Sequence, residues 1–378
     1  MSITVIKMFT ILFTLFIPSI FSGISIDNND GLEHLTKSYT AIYNDTCVIS
    51  DPLAGQIDQM VLYHNRRLGF HGSVLVVKDG SPIYARSIGY ADLKSKERLN
   101  RNSSFELASV SKQFTAYAIM MLQERGLIQY DDPIDNYLCS LPFKGVTIRH
   151  LLNHTSGVQN YMWLLENKWI KEHAPSNKEV VNFIGEHGMY MNFKAGSRFS
   201  YSNTGYVLLA AIIEEVSGKS YGSFIEENIF TPLCMYTASV GKSDSKQLTG
   251  FQTGRNYSRR LKPTIHDNAF GDKGIYASIW DLYKWNKEVS NPKLLDKPTV
   301  LEAFKPAIVN RRKINYGFGF RLMEDNKGSY IYHHGLWNGF RTTYSMNLDE
   351  NTTIVVLNHT NSKAKTPLVK RLDRIVNS

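Results

Sequence analysis

Cysteine is scarce in this chain of 378 residues: there are three, Cys47, Cys139 and Cys234. That excludes a dense disulfide framework. None of the three has ligand-like neighbours at short range, which argues against a zinc site. They read as buried or incidental. Long hydrophobic runs are also rare. The one candidate lies in the opening "MSITVIKMFTILFTLFIPSIFSGIS", from Met8 to about Phe21. It falls short of the about 20 apolar residues a membrane span needs, and Pro18 interrupts it. A single cation, Lys7, precedes it, and Gly23 and Ser25 follow at cleavage-site spacing. This pattern predicts a signal peptide over 1–25 and export, periplasmic or secreted. An N-terminal membrane anchor is the alternative.

Internal repeats and low-complexity tracts are absent, and so is any dense basic block. The net charge is +9, but the cations are scattered, with only local pairs such as Arg259–Arg260 and Arg311–Arg312. We therefore expect no nucleic-acid partner. With 43% hydrophobic and 20% charged residues, the composition is that of a folded domain with a sizeable core.

Residues 26–50 are polar and unpatterned, with Asp27 to Asp30 in a row, and read as a leader or linker. From 51 to 378 the pattern predicts one domain. "GSVLVVKDGSPIYARSIGYAD" (72–92) holds two strand-like runs about Asp79-Gly80, a strong hairpin signal. A helix follows in "FELASVSKQFTAYAIMMLQERGLI" (105–128). Phe114, Ala118, Met121 and Leu122 form its apolar face, and Gly126 ends it. A mostly helical region runs from about 127 to 290, clearest in "GYVLLAAIIEEVSG" (205–218). Strands return in "NYGFGFRLM" and "SYIYHHGLWNGFRTTYSMNLDENTTIVVLNH", with a turn at Asn347 to Asn351. A last helix is expected from Ala364 to Val376. The fold class is thus α/β of the α+β kind. An antiparallel sheet is built from both chain ends, with flanking helices and a helical insertion.

Three short stretches carry chemistry. Ser109 and Lys112 stand three apart, so a helical turn lets them meet. A lysine amine can take a serine proton, and a helix N-terminus favours developing negative charge. "AGSRFSYSNTGYVLL" sets Tyr201 and Asn203 two apart ahead of a helix. "YHHGLWNGFRTTY" sets His333 and Gly335 in a strand, where glycine lets a ligand approach the backbone. His150 and His154 are four apart, but no Glu follows His150 as a zinc motif requires, so both read as structural. No metal and no organic cofactor are expected. Of the tryptophans, Trp337 is the one expected near a substrate cleft, since it follows the third stretch.

The order S-x-x-K, Y-x-N, H-x-G resembles the serine β-lactamase and DD-peptidase superfamily. The similarity is to the branch holding class C β-lactamases, exported DD-carboxypeptidases, D-amino acid peptidases and β-lactamase-like esterases. "VTIRHLLNHTSGV" (146–158), "KGIYASIWDLYKW" (273–285) and "YGFGF" (316–320) agree with it. The resemblance implies an acyl-enzyme on Ser109, with Lys112 as base in a hydrogen-bonded pair with Tyr201. Asn203 would bind the substrate amide. The N–H groups of Ser109 and Leu336 would form the oxyanion hole, with Gly335 beside them. His333 would stand where β-lactamases carry a lysine and would face the substrate carboxylate. A mostly neutral imidazole is a weaker anchor than a lysine, and acid pH is expected to strengthen it. The substrates implied are small esters, D-amino acid peptides or cell-wall peptides. A class C-like β-lactamase and a non-catalytic penicillin- or cell-wall-binding protein are the alternatives.

Overall fold

Asp79 and Gly80 both adopt positive φ, 50° and 74°, and fold the chain back between two strands. This is the tight turn that the Asp-Gly pair predicts. The computed structural model describes residues 48–49, 51–242 and 247–377, so the signal-peptide reading, most of the 26–50 linker and Cys47 lie outside the described residues.

In chain order the elements begin with β1 (Val48–Ile49), α1 (Ala54–Leu68), β2 (Gly72–Lys78), β3 (Ser81–Ile88) and β4 (Phe105–Glu106). A 3-10 turn (Ala108–Ser111) leads into α2 (Lys112–Glu124). Then come α3 (Ile148–Leu152), α4 (Tyr161–Lys168), α5 (Asn177–His187), α6 (Asn203–Ser217) and α7 (Tyr221–Ile225). Short strands β5 (Ser239–Val240), β6 (Phe251–Thr253), β7 (Ser258–Arg260) and β8 (Ile275–Ala277) precede α8 (Ile279–Ser290) and α9 (Lys297–Glu302). The chain closes with β9 (Ala307–Val309), β10 (Arg312–Ile314), β11 (Arg321–Asp325), β12 (Gly328–Trp337), β13 (Phe340–Asn347), β14 (Thr352–Asn358) and α10 (Lys365–Val376).

The main sheet has the order β1-β3-β2-β14-β13-β12-β11, and all its pairings are antiparallel. The strands of the N-terminal hairpin meet the C-terminal ones at β2–β14, so both chain ends do build one sheet. Val74 and Val76 pack with Ile57, Val61, Leu368 and Leu372 of α1 and α10. Alternation then turns Leu75 and Val77 to the opposite face, and burial on both faces explains the unbroken apolar run of β2.

Two expectations change. Tyr316 to Phe320 form a bend between β10 and β11 rather than a strand, with Gly319 at φ 77°. A Cβ at Gly319 would meet the Lys112 carbonyl oxygen at 2.7 Å, so this bend presses on the start of α2. And α2 has no solvent face: every residue from Lys112 to Leu122 is buried. Its polar side chains therefore have specific partners, as buried polar groups must. Gln113 accepts from the Trp285 indole at 2.9 Å, and Thr115 donates to the Gly271 carbonyl at 2.7 Å. Cys139 and Cys234 are free and exposed in surface turns, which fits the incidental one of the two readings. Among the described residues, no helix is long and apolar enough to cross a membrane.

Candidate active site

Ser109 lies in the 3-10 turn, half-buried, one residue after Ala108. Ala108 takes φ 52°, a left-handed conformation that costs a non-glycine residue about 1–3 kcal/mol. Bonds on three sides hold it there. The Leu107 N–H donates to the Ile275 carbonyl at 2.8 Å. The Leu107 carbonyl accepts from the Thr342 hydroxyl at 2.6 Å. The Ala108 N–H donates to the Glu106 carboxyl at 3.2 Å. Ser111, by contrast, is wholly buried, and its Oγ accepts from the Ile275 N–H at 3.2 Å.

Lys112 is fully buried one turn on. Its Nζ donates to Ser109 Oγ at 3.1 Å, to Asn203 Oδ1 at 2.9 Å and to the Asp272 carbonyl at 2.7 Å. The i, i+3 meeting of serine and lysine is therefore made. The expected Lys112–Tyr201 hydrogen bond is not. Asn203, the first residue of α6, and the turn at Asp272 supply the other two acceptors. Tyr201 instead turns its ring toward the ammonium, with Nζ 5.1 Å from the centroid.

Tyr201 packs on His154 at 4.2 Å between ring centroids, and the Arg321 guanidinium lies 5.2 Å from its ring on β11. His154 accepts from the Ser202 N–H through Nδ1 at 3.3 Å. It is thus part of the site's wall, whereas His150 closes a capping box with Thr147 at the start of α3. Burial, then the charge of Lys112, holds His154 well below its usual imidazole value.

His333 departs most from expectation. It is 1% exposed, and both ring nitrogens are used inside the protein. Nδ1 faces the His334 carbonyl at 2.8 Å, so it carries the hydrogen, and Nε2 accepts from the Tyr316 hydroxyl at 3.1 Å. Burial, then Lys112 and Arg321, keeps it neutral, well below its usual value. It has no polar atom left for a carboxylate. Gly335 also differs in its use. A Cβ there would sit 2.2 Å from the Leu107 carbonyl oxygen and 2.1 Å from Thr342 Oγ1. The approach it permits is that of the chain's own serine turn. Leu336 is 64% exposed, just past the point where β11 stops pairing with β12 at Tyr332.

The sequence reading missed Arg321, Glu106 and the Asp272 carbonyl. All three lie in or beside stretches already singled out, but only the fold sets Arg321 against Tyr201, the Asp272 carbonyl against Lys112 and Glu106 against Gly274. Arg321 is half-buried and makes no ion pair among the described residues. Behind the β12–β13 turn lies a cavity of about 520 Å³, lined by Trp337, Asp267, Lys273, Tyr276, Phe340 and Glu106 among others. Among the described residues, no group of three or more His, Cys, Asp or Glu is placed to hold a metal ion.

Comparison with known proteins gives the chain's family and fold. The family model described as Beta-lactamase matches residues 63–377. Penicillin-binding protein 4* of Bacillus subtilis is 35% identical over 308 residues, 77% of this chain and 68% of that protein. A penicillin-binding protein structure from Bacillus halodurans superposes with a TM-score of 0.74 at 24% identity, covering 86% of this chain and 100% of the other. D-amino acid amidase from Ochrobactrum anthropi SV3 superposes at 0.72 with 22% identity, over 86% and 98%. At these identities the two structures establish a shared fold.

Proposed function

This chain belongs to the beta-lactamase family and is a serine hydrolase, and we propose that it works through an acyl-enzyme on Ser109. Its substrates in this reading are D-amino acid or cell-wall-type peptides, and related esters, that carry a free carboxylate. Lys112 acts as the neutral amine: it keeps its hydrogens on Asn203 Oδ1 and the Asp272 carbonyl, and its lone pair accepts the Ser109 hydroxyl proton as that oxygen bonds to the substrate carbonyl carbon. The proton taken by Lys112 passes by way of Tyr201 to the departing amine or alkoxide, and water later cleaves the acyl ester and restores the Ser109 hydroxyl. The N–H groups of Ser109 and Leu336 hold the carbonyl oxygen, a preorganised contact that is usually the largest catalytic contribution. Asn203 keeps an amide N–H for the substrate, the only partner of its amide nitrogen among the described residues being the Met162 sulfur at 3.9 Å.

The observation that carries the substrate class is Arg321. A guanidinium with no carboxylate partner among the described residues, lying beside the Tyr201 ring, offers a planar fork that matches a carboxylate. It supplies the fixed positive charge that His333 does not. The names of the relatives support the D-amino acid part of this reading: one is a penicillin-binding protein and one a D-amino acid amidase. Penicillins also carry a carboxylate near the reactive carbonyl, so acylation by penicillin is an expected side reaction.

The test is a substrate panel: a chromogenic ester, a peptide ending in D-Ala-D-Ala, and the same peptide as its C-terminal amide. Turnover is expected to vanish in Ser109→Ala, and the free acid is expected to be preferred over the amide. Turnover surviving Ser109→Ala sinks the acyl-enzyme. Equal rates on acid and amide sink the role of Arg321. The proposal includes export, with a mature N-terminus near Ile26. Met1 retained on protein from the membrane fraction would replace cleavage with anchoring.

A further inference from the structure

Glu106 is a carboxylic acid with 3% exposure, three residues before the nucleophile. Among the described residues it forms no ion pair. A buried carboxyl is costly to a fold unless its hydrogen bonds compensate. Its position shows what those bonds do. One oxygen, Oε1, accepts from the Ala108 N–H at 3.2 Å and from the Gly274 N–H at 2.9 Å. The first peptide belongs to the strained turn that carries Ser109. The second closes the turn Gly271–Gly274, whose Asp272 carbonyl accepts from Lys112 at 2.7 Å. A single carboxyl oxygen thus joins the segment of the nucleophile to the segment that seats the base.

We propose that Glu106 is a positioning residue for the reaction: by tying the Ala108 and Gly274 peptides together, it sets the register of Ser109 against Lys112. The inference rests on the acyl-enzyme reading above. Glu106 touches no reacting atom in this account and acts only through those two peptides. The neighbouring elements are arranged to keep the clamp stiff. β4 pairs with β8 through Phe105–Ala277 and Glu106–Tyr276. Lys273, in the same turn, is buried against Asp272 at 3.3 Å and the Tyr161 hydroxyl at 2.9 Å.

An ionised acceptor binds two N–H groups more strongly than a neutral one. Three titratable side chains face Glu106: Lys273 from its turn, Asp267 from the preceding loop and Tyr276 from β8. Burial pushes the Glu106 carboxyl up to about 7, against the pull of the Gly274 N–H and Lys273. The carboxyl also lines the cavity of about 520 Å³, which gives it a route for proton exchange. Its ionisation therefore falls near neutral pH, and the stiffness of the clamp follows it.

The experiment measures three things in wild type, Glu106→Gln and Glu106→Ala: the rate of fluorophosphonate labelling at Ser109, kcat and KM on a neutral ester, and the pH profile from 5 to 9. Gln keeps an accepting oxygen without the charge, while Ala removes both. In Glu106→Ala, kcat and labelling should fall by about 100-fold, the scale of a small misplacement, with KM little changed. Glu106→Gln should recover most of that loss and lack the rise in activity through pH 7 expected of wild type. Folded Glu106→Ala that labels at the wild-type rate overturns the inference alone. Glu106→Gln that keeps the wild-type rise near pH 7 does the same, and this arm stands even where the alanine variant fails to fold. No labelling of Ser109 in wild type overturns the acyl-enzyme reading, and this inference with it.

Discussion

Gly335 of β12 and Leu107 of the serine turn lie so close that a Cβ on the glycine would stand 2.2 Å from the Leu107 carbonyl oxygen. The strand edge and the turn that carries the nucleophile are thus set against each other backbone to backbone. In the proposed oxyanion hole, the N–H groups of Ser109 and Leu336 depend on this close approach, which a side chain at position 335 would block.

Gly335→Ala is accordingly expected to move the serine turn rather than to unfold the protein. Overpacking of this kind costs about 1–3 kcal/mol, so the domain should still fold with a lowered Tm. Serine labelling should fall by about 100-fold or more, since a shift near 1 Å is enough. Wild-type labelling in a folded Gly335→Ala protein would remove the oxyanion role from this pair.

Peptide mapping after fluorophosphonate treatment should place the label on Ser109 and not on Ser111. Ser111 is wholly buried, and its oxygen is already held by the Ile275 N–H. Ser111→Ala should still be labelled, and Ser109→Ala should not. A label on Ser111 reverses the assignment.

Lys112→Ala and Tyr201→Phe should each slow acylation, by the roughly 10²–10⁴-fold typical of acid–base groups. Lys112 gives its hydrogens to Ser109, Asn203 and Asp272 and faces the Tyr201 ring, so the two side chains share one arrangement. The double variant should therefore lose much less than the product of the single losses, as groups acting as a unit do. A full multiplicative loss means that they act separately.

Acidification should not strengthen the binding of carboxylate substrates. His333 is held below its usual 6.5 by burial, so it stays neutral where a free imidazole would charge. The ratio of kcat/KM for a carboxylate substrate to that for a neutral ester should stay flat from pH 7 to pH 5.5. It should fall in Arg321→Gln at every pH. The same depressed value has a stability consequence with a definite sign. The unfolded imidazole takes up a proton below 6.5 and the folded one does not, so this contribution is full above pH 6.5 and is lost as pH falls. His333→Gln should show a shallower loss of Tm on acidification than wild type. A ratio that climbs toward pH 5.5 in wild type but not in His333→Gln restores the histidine as anchor.

Much of this was legible in the residues themselves. The Asp79-Gly80 hairpin, the helix closed by Gly218, the turn at Asn347 to Asn351 and the C-terminal helix follow from local sterics and periodicity, which short stretches encode in full. The meeting of Ser109 and Lys112 is equally local, since three residues along a helical turn bring side chains together. The tertiary structure alone decided what surrounds that pair. Whether Lys112 finds Tyr201 or Asn203 depends on where the start of α6 stops relative to α2, across 91 positions of chain. Whether His333 meets substrate or Tyr316 depends on the bend at 316–320, which local apolar patterning misreads as strand. Arg321 and Glu106 look unremarkable in sequence, one a surface-type cation and the other a strand acid. Arg321 reaches the Tyr201 ring, and Glu106 the Gly274 peptide, because long-range packing, which no local pattern encodes, brings β11, β4 and the Gly271–Gly274 turn to the same place.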